Sequence, residues 1–386
     1  MKDVVRTLKI DLPQRQSAFL WGPRKTGKST FLRQAFPHSL VYDFLRKDVY
    51  LEVVKNPSLL REKILAQDAA VLKHPIILDE VQKVPEILDE VHWMIGNKGL
   101  RFILCGSSAR KLKRGQANLL GGRAWRFELF PLVSSELEHI DLLRTLSHGL
   151  LPAHYLQENA ARSIKAYVQD YLKEEVFEEG IVRNIPAFLR FFDAMAYSLG
   201  EMVNYSNVSR DCGVDSKTVK EYYQILADML LGSFVEPYKK RQSRDVILKA
   251  PKFYFFDVGV AAAIAKHPVL EARGEFFGRA LENFIFMELT AYRSYRERDF
   301  SINYWRTKTG LEVDFILDDG RVAIEVKGAS RVDKTELSGL KAFMEEYQPS
   351  KALVVSNERE LRVTSGGIQV IPWRDFLSRL WRGEIV

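Results

Sequence analysis

Short apolar runs alternate with amphipathic stretches through residues 1–150. Ser17–Trp21, Leu40–Asp43, Ile76–Asp79, Arg101–Cys105 and Trp125–Leu129 each read as a short buried strand, and helical spacing fills most of the gaps. Continuous apolar runs of this length suit strands covered on both faces. The βαβα rhythm therefore predicts an α/β domain, a parallel sheet with helices on both sides. Pro131 and Pro152 bracket a change of pattern. From Ala153 to about Val246 the spacing is mostly helical, most clearly over Ala161–Gly180 and Pro186–Glu201. From Phe253 onward it is mixed. It predicts a helix over Gly278–Ser294, a hairpin turning at Asp319–Gly320, a helix over Lys334–Tyr347, a strand over Ala352–Ser356 and a last helix near Trp373–Trp381. The expected organisation is three units: residues 1–150, 151–250 and 251–386.

The chain has 386 residues, too many for one compact domain. Hydrophobic residues at 46% and charged residues at 28% exclude a disordered or collagen-like chain. Cys105 and Cys212 are the only cysteines, too few for a disulfide framework, and free thiols fit a cytoplasmic location. Met1 to Leu12 carries Lys2, Asp3, Arg6, Lys9 and Asp11 around no apolar core, so it does not read as a signal peptide. Charges break every apolar stretch before the roughly 18 residues of a membrane span, so no membrane partner is expected. Lysine plus arginine number 57 against 50 acids, a net charge of +7, which permits a nucleic-acid partner without establishing one.

Chemistry enters at Gly22-Pro23-Arg24-Lys25-Thr26-Gly27-Lys28-Ser29, a full G-x-x-x-x-G-K-[ST] phosphate loop lying between a strand and a helix that opens at Thr30. The glycines let backbone N–H groups curl around phosphates. Lys28 is expected to reach the β and γ phosphates, and the Ser29 hydroxyl to hold Mg2+. ATP with Mg2+ is the expected cofactor; the bland alternative is a glycine turn capping a helix. The strand Ile76–Asp79 ends in two acids, Asp79 for the magnesium and Glu80 to polarise the attacking water. Gly106-Ser107-Ser108 ends the next strand, where Ser107 can touch the γ phosphate or merely cap a turn. In Gly121-Gly122-Arg123-Ala124-Trp125-Arg126, Arg123 ahead of Arg126 is a candidate arginine finger for a neighbouring copy's ATP, or else a surface arginine. A finger implies a homo-oligomer.

The runs LWGPRKTGKSTFLRQ, IILDEVQKVPEIL, GSSARKL and LLGGRAWRFELFPLVSSEL resemble a large group of bacterial and archaeal AAA-family ATPases, with Ser107 at a position similar to their sensor. That group carries a C-terminal domain of unassigned function with a restriction-endonuclease-like fold. YFFDVGV, GRALENFIF, GLEVDFIL and AIEVKG extend the resemblance over nearly the whole chain. It implies ATP binding and hydrolysis, and a nuclease-like third unit.

Val203 to Tyr223 reads as helix, turn at Gly213, helix, with Ser216 able to cap the second helix. Val219, Tyr222, Tyr223 and Leu226 give that helix an apolar face; Lys217, Lys220 and Glu221 stay outside. A strand over Ser233–Tyr238 and a basic tip, Lys239 to Arg244, complete the order of a winged helix. Its second helix can enter a DNA groove, or the module can serve as a packing lid. A second basic cluster spans Arg110 to Arg114.

In the third unit, Asp314 and Glu325-Val326-Lys327 fit the D…(D/E)-x-K pattern. A two-residue turn at Asp319–Gly320 sets residues whose numbers sum to 639 opposite each other: Asp314 against Glu325, Glu312 against Lys327. All four share one face, while Val313, Phe315, Leu317, Val322, Ile324 and Val326 fill the other. Facing carboxylates repel unless a cation intervenes. A metal held by Asp314, Glu325 and Glu282, with Lys327 on a scissile phosphate, is one reading. A solvated polar face is the other. Asp257, at a strand end before Gly259, reads as structural. The function expected first is an ATPase whose nucleotide state controls a winged-helix and nuclease-like tail acting on DNA. The alternative is a slow ATPase switch or scaffold that binds a protein or nucleic acid without cutting.

Overall fold

The computed structural model describes residues 4–107, 120–172, 182, 184–239 and 250–386. The basic cluster Arg110–Arg114 and most of the basic tip beyond Lys239 lie outside the described residues.

The first unit is a parallel sheet of β1 (Ser17–Trp21), β2 (Val41–Asp43), β3 (Ile76–Asp79), β4 (Phe102–Gly106) and β5 (Ala124–Glu128), in the order β2-β3-β4-β1-β5. Strand alternation feeds two cores. Phe19, Trp21, Ile76, Leu78, Phe102 and Leu104 face α2 (Lys47–Lys55), α3 (Ser58–Leu65) and α4 (Ile87–Lys98). Ala18, Leu20, Ile77, Ile103 and Cys105 face α1 (Lys28–Ala35) and the N-terminal Leu8 and Leu12. The expected strands are therefore present with edges shifted by a residue, and helices cover both sides.

The middle unit begins with α5 (Leu142–His148), α6 (Pro152–Tyr155) and α7 (Ala160–Ala166), which runs into a π turn, Tyr167–Leu172. After α8 (Ile185–Tyr197) come α9 (Tyr205–Cys212) and α10 (Ser216–Asp228), joined through Gly213 at φ 67°. The cap on α10 is Asp215, not Ser216: its carboxylate accepts from the N–H groups of Lys217 and Thr218, an acid at the positive helix end. β6 (Gly232–Val235) stops earlier than expected. Pro237 has no N–H to donate, and Tyr238 N–H bonds Tyr304 O at 2.6 Å across to the C-terminal sheet. β6 pairs antiparallel with β7 (Lys252–Phe255), and the middle core continues through α11 (Val258–Ile264) to Ala265, beyond the expected boundary at 250. Asp257 is structural as expected: it caps α11 through Val260 N–H at 2.9 Å and accepts Leu150 N–H at 2.7 Å.

The third unit is a mixed sheet in the order β12-β13-β11-β10-β9-β8, made of β8 (Ile302–Arg306), β9 (Glu312–Leu317), β10 (Val322–Lys327), β11 (Lys351–Ser356), β12 (Arg362–Val363) and β13 (Gln369–Pro372). One face carries the long α12 (Glu275–Tyr295) and α14 (Trp373–Trp381); the other carries α13 (Ser338–Tyr347). The β9–β10 register follows the expected sum, Leu317 with Val322 and Phe315 with Ile324. Val313 departs from it. A register shift against β8 turns it to the α13 side, with Ile316 and Ala323.

Candidate functional site

The phosphate loop sits at the carboxyl end of β1, and its glycines are forced. A side chain at Gly22 would meet Leu129 O at 2.5 Å, and Gly27 has φ +89°. Lys28 is buried, and its Nζ donates to Gly22 O at 2.6 Å and Pro23 O at 3.0 Å. Thr26 Oγ1 donates to Pro23 O, bracing the same curl. Arg24, Lys25 and Thr30 complete the loop and the first helical turn.

β3 brings the acids to this loop. Ser29 Oγ donates to Asp79 Oδ2 at 2.7 Å, and Asp79 Oδ1 accepts Glu80 N–H at 3.0 Å. Glu80 is left-handed, φ 59°, a costly conformation for a residue with a side chain. Gln82 Nε2 donates to Glu80 Oε2 at 2.6 Å and lies 3.2 Å from Ser107 Oγ on the next strand. Among the described residues, Gln82 Oε1 is buried without a partner. Ser29, Asp79, Glu80 and Ser107 are thus linked side by side, next to Lys28. Gln82 was missed, since in the turn Val81-Gln82-Lys83 nothing in the sequence sets it apart from its exposed neighbour Lys83. Cys105 is buried on β4, and burial with Asp79 beside it pushes its thiol well up, keeping it protonated.

Arg6 was also missed. Its side chain is 5% exposed, and it donates to Thr26 O at 2.8 Å, Phe130 O at 2.6 Å, Pro131 O at 3.1 Å and Glu136 Oε2 at 3.0 Å. Tyr295 Oη, at the end of α12, lies 3.3 Å away. One guanidinium therefore ties the phosphate loop to the C-terminal helix. The middle unit meets the loop as well: Pro152 packs near Gly27, and burial, with Lys25 adding to it, lowers His154 to about 4.

Arg123 stands elsewhere. β1 and β5 are parallel with Ser17 beside Ala124, so Arg123 lies at the sheet end opposite the phosphate loop, about 13 Å of strand away. It is exposed and lies 3.0 Å from His92 Nε2. Arg126 is exposed on the same edge strand.

The C-terminal acids form a second cluster, with a cation the sequence reading did not include. Lys252 Nζ lies 2.5 Å from Glu312 Oε1, 3.1 Å from Glu282 Oε1 and 3.5 Å from Asp314 Oδ1. Tyr254 Oη donates to Glu282 Oε1, and Val326 N–H to Asp314 Oδ2 at 2.8 Å. Lys327 pairs with Glu325 Oε1 at 2.5 Å, not with Glu312, whose second oxygen takes Arg306 at 2.6 Å. Burial, with Asp314 adding repulsion, raises Glu282 to about 7 and pushes Glu325 well up. Among the described residues, no three Asp, Glu, His or Cys side chains are grouped to hold a metal. The Lys252 ammonium stands among Glu282, Glu312 and Asp314.

Residues 14–138 match the AAA domain family. That stretch holds the phosphate loop and the parallel sheet described above. Residues 140–270 match a domain of unknown function, and residues 277–376 match another. An uncharacterised protein of Methanocaldococcus jannaschii is 24% identical over 357 residues, spanning 82% of this chain and 75% of its own length. The Aeropyrum pernix Orc1 protein, solved in complex with DNA, aligns over 66% of this chain and 87% of that one at 13% identity and a TM-score of 0.25. No helix among the described residues is long and apolar enough to cross a membrane.

Proposed function

We propose that the protein binds and hydrolyses ATP at the phosphate loop, and that nucleotide occupancy acts on the middle and C-terminal units. The observation that carries this is the meeting of Lys28, Ser29 and Asp79 at the loop, with Glu80 and Ser107 bridged by Gln82 behind it. Among the described residues Lys28 donates to two neutral carbonyls, so an arriving phosphate adds a direct ion pair that they lack. The adjacent Ser29 hydroxyl and Asp79 carboxylate are the hard oxygen donors that Mg2+ prefers, and they would hold it directly or through water. When bound, Mg2+ neutralises charge on the β and γ phosphate oxygens. Glu80 then accepts a hydrogen bond from the attacking water and takes its proton, while Gln82 holds the carboxylate in place.

Arg123 points to a homo-oligomer. It is too far from its own phosphate loop to reach it, so as a finger it serves the ATP of a second copy. For the middle unit the reading is DNA contact through α10, whose Lys217 and Lys220 are exposed while Val219, Tyr222, Tyr223 and Leu226 pack inward. The Arg6 anchor on Tyr295 gives the loop a physical connection to α12. Calorimetry with ATP and turnover of phosphate, on wild type and Lys28→Ala, test the central reading. Unchanged ATP affinity in Lys28→Ala removes it.

A further inference from the structure

We infer that Lys252 is the resident cation of the C-terminal acid cluster, and that this cluster takes an internal ammonium in place of a divalent metal. The lone pairs decide first. A hard divalent ion needs several free oxygens around it. Here Glu312 has one oxygen on Lys252 and the other on Arg306. Asp314 has one oxygen on Lys252 and the other on Val326 N–H. Glu282 Oε1 takes both Lys252 and Tyr254 Oη. Among the described residues this leaves Glu325 Oε2, which is buried, and Glu282 Oε2 without a protein partner, two oxygens on separate acids and neither part of a shared ring of ligands.

The charges agree. Glu282, Glu312, Asp314 and Glu325 face Lys252, Arg306 and Lys327, which leaves one negative charge. Burial and the repulsion of Asp314 push the Glu325 carboxyl well up. A divalent ion would bring two positive charges against that single negative one, into a largely buried site. Lys252 is also poorly placed to leave. It is 2% exposed, its ammonium lies 5.7 Å from the Tyr304 ring centre, and its backbone is held in β7 by pairing with β6. The same contacts give the cluster a job. They fasten the β6–β7 hairpin of the middle unit to α12 and β9 of the third, through one side chain.

The test is Mn2+ titration of the nucleotide-free full chain, followed by calorimetry and by the paramagnetic signal of free Mn2+, with Asp314→Asn alongside. The phosphate loop is intact in both proteins, so their difference reports the acid cluster alone. The expected result is the same Mn2+ stoichiometry in both. In Lys252→Met, folded by circular dichroism, one Mn2+ more than in wild type is expected, and it is removed again by Asp314→Asn. Mn2+ bound by wild type and lost in Asp314→Asn overturns the inference. So does a folded Lys252→Met that gains no Mn2+. If Lys252→Met does not fold, the comparison of wild type with Asp314→Asn decides by itself. None of these outcomes depends on ATP hydrolysis.

Discussion

The phosphate loop and the C-terminal cluster each set a buried lysine among oxygens next to acids, and the two lysines are held in opposite ways. Lys28 is 6% exposed and donates to the carbonyls of Gly22 and Pro23, neutral groups belonging to its own loop. Lys252 is 2% exposed and donates to carboxylates from α12 and β9. A carboxylate gives an ammonium a Coulomb attraction between full charges that a neutral carbonyl lacks. Lys28 is therefore poised to exchange its partners for an incoming polyphosphate. Lys252 has nothing better to move to. Proximity of lysine and acid is common to both places; what separates a site from a staple is whether the charge is already answered.

The sharpest way to break this comparison is Lys28→Ala, for which ATP binding should vanish in calorimetry while the melting temperature moves little. Next is Lys252→Met, which strands three carboxylates and should cost about 3–5 kcal/mol, read from urea unfolding. A loss under about 1 kcal/mol would show that the cluster does not depend on its lysine. Glu80→Gln should leave ATP binding intact and slow turnover by about 10²–10⁴-fold, and wild-type turnover would remove Glu80 as the base.

A pH profile sharpens the comparison at the junction between the two regions. Glu288 on α12 is 1% exposed and accepts Ser134 N–H at 2.7 Å, Ser134 Oγ–H at 2.7 Å and Trp381 Nε1–H at 2.6 Å. Burial nonetheless raises it from 4.5 to about 7. A folded pKa above the unfolded one means that stability is fullest below about 4.5 and is lost as pH rises through about 7. The change from this group is roughly 3 kcal/mol. Glu288→Gln should flatten that part of the profile, and an unaltered slope would assign the loss to other groups. Smallest is Arg6→Lys. It keeps the charge but cannot span Thr26, Phe130 and Glu136 together, and should raise the KM for ATP severalfold with kcat less affected, about 1 kcal/mol. An unchanged KM would mean that the loop holds its shape without it.

Most of the first unit was legible in the sequence because its signals are local. An apolar strand, a glycine loop and a lysine within eight residues of Gly22 specify the phosphate site, and one-residue alternation in β1, β3 and β4 specifies both faces of the sheet. The β9–β10 register was legible for the same reason, since a short turn fixes it. Lys252 was not. It opens the strand Lys252-Phe253-Tyr254-Phe255, and its partners lie 30 to 62 residues further on. The faint signal was that Lys252 and Tyr254 share a strand face, a pair of polar tips on an element with no exposed side. Arg6 was hidden by the same distance effect, its partners running from Thr26 to Tyr295. Ser216 lost the cap to Asp215 by one position, a shift that spacing alone does not resolve.

Helix α12 is held at three points along its length: Glu282 in the acid cluster, Glu288 on Ser134 and Trp381, and Tyr295 beside Arg6. At about 1.5 Å per residue the central hold is roughly 9 Å from Glu282 and roughly 10.5 Å from Tyr295. A stiff rod pinned near its middle behaves as a balance beam. A tilt that lifted the Tyr295 end by a fraction of an ångström would lower the Glu282 end by nearly the same amount.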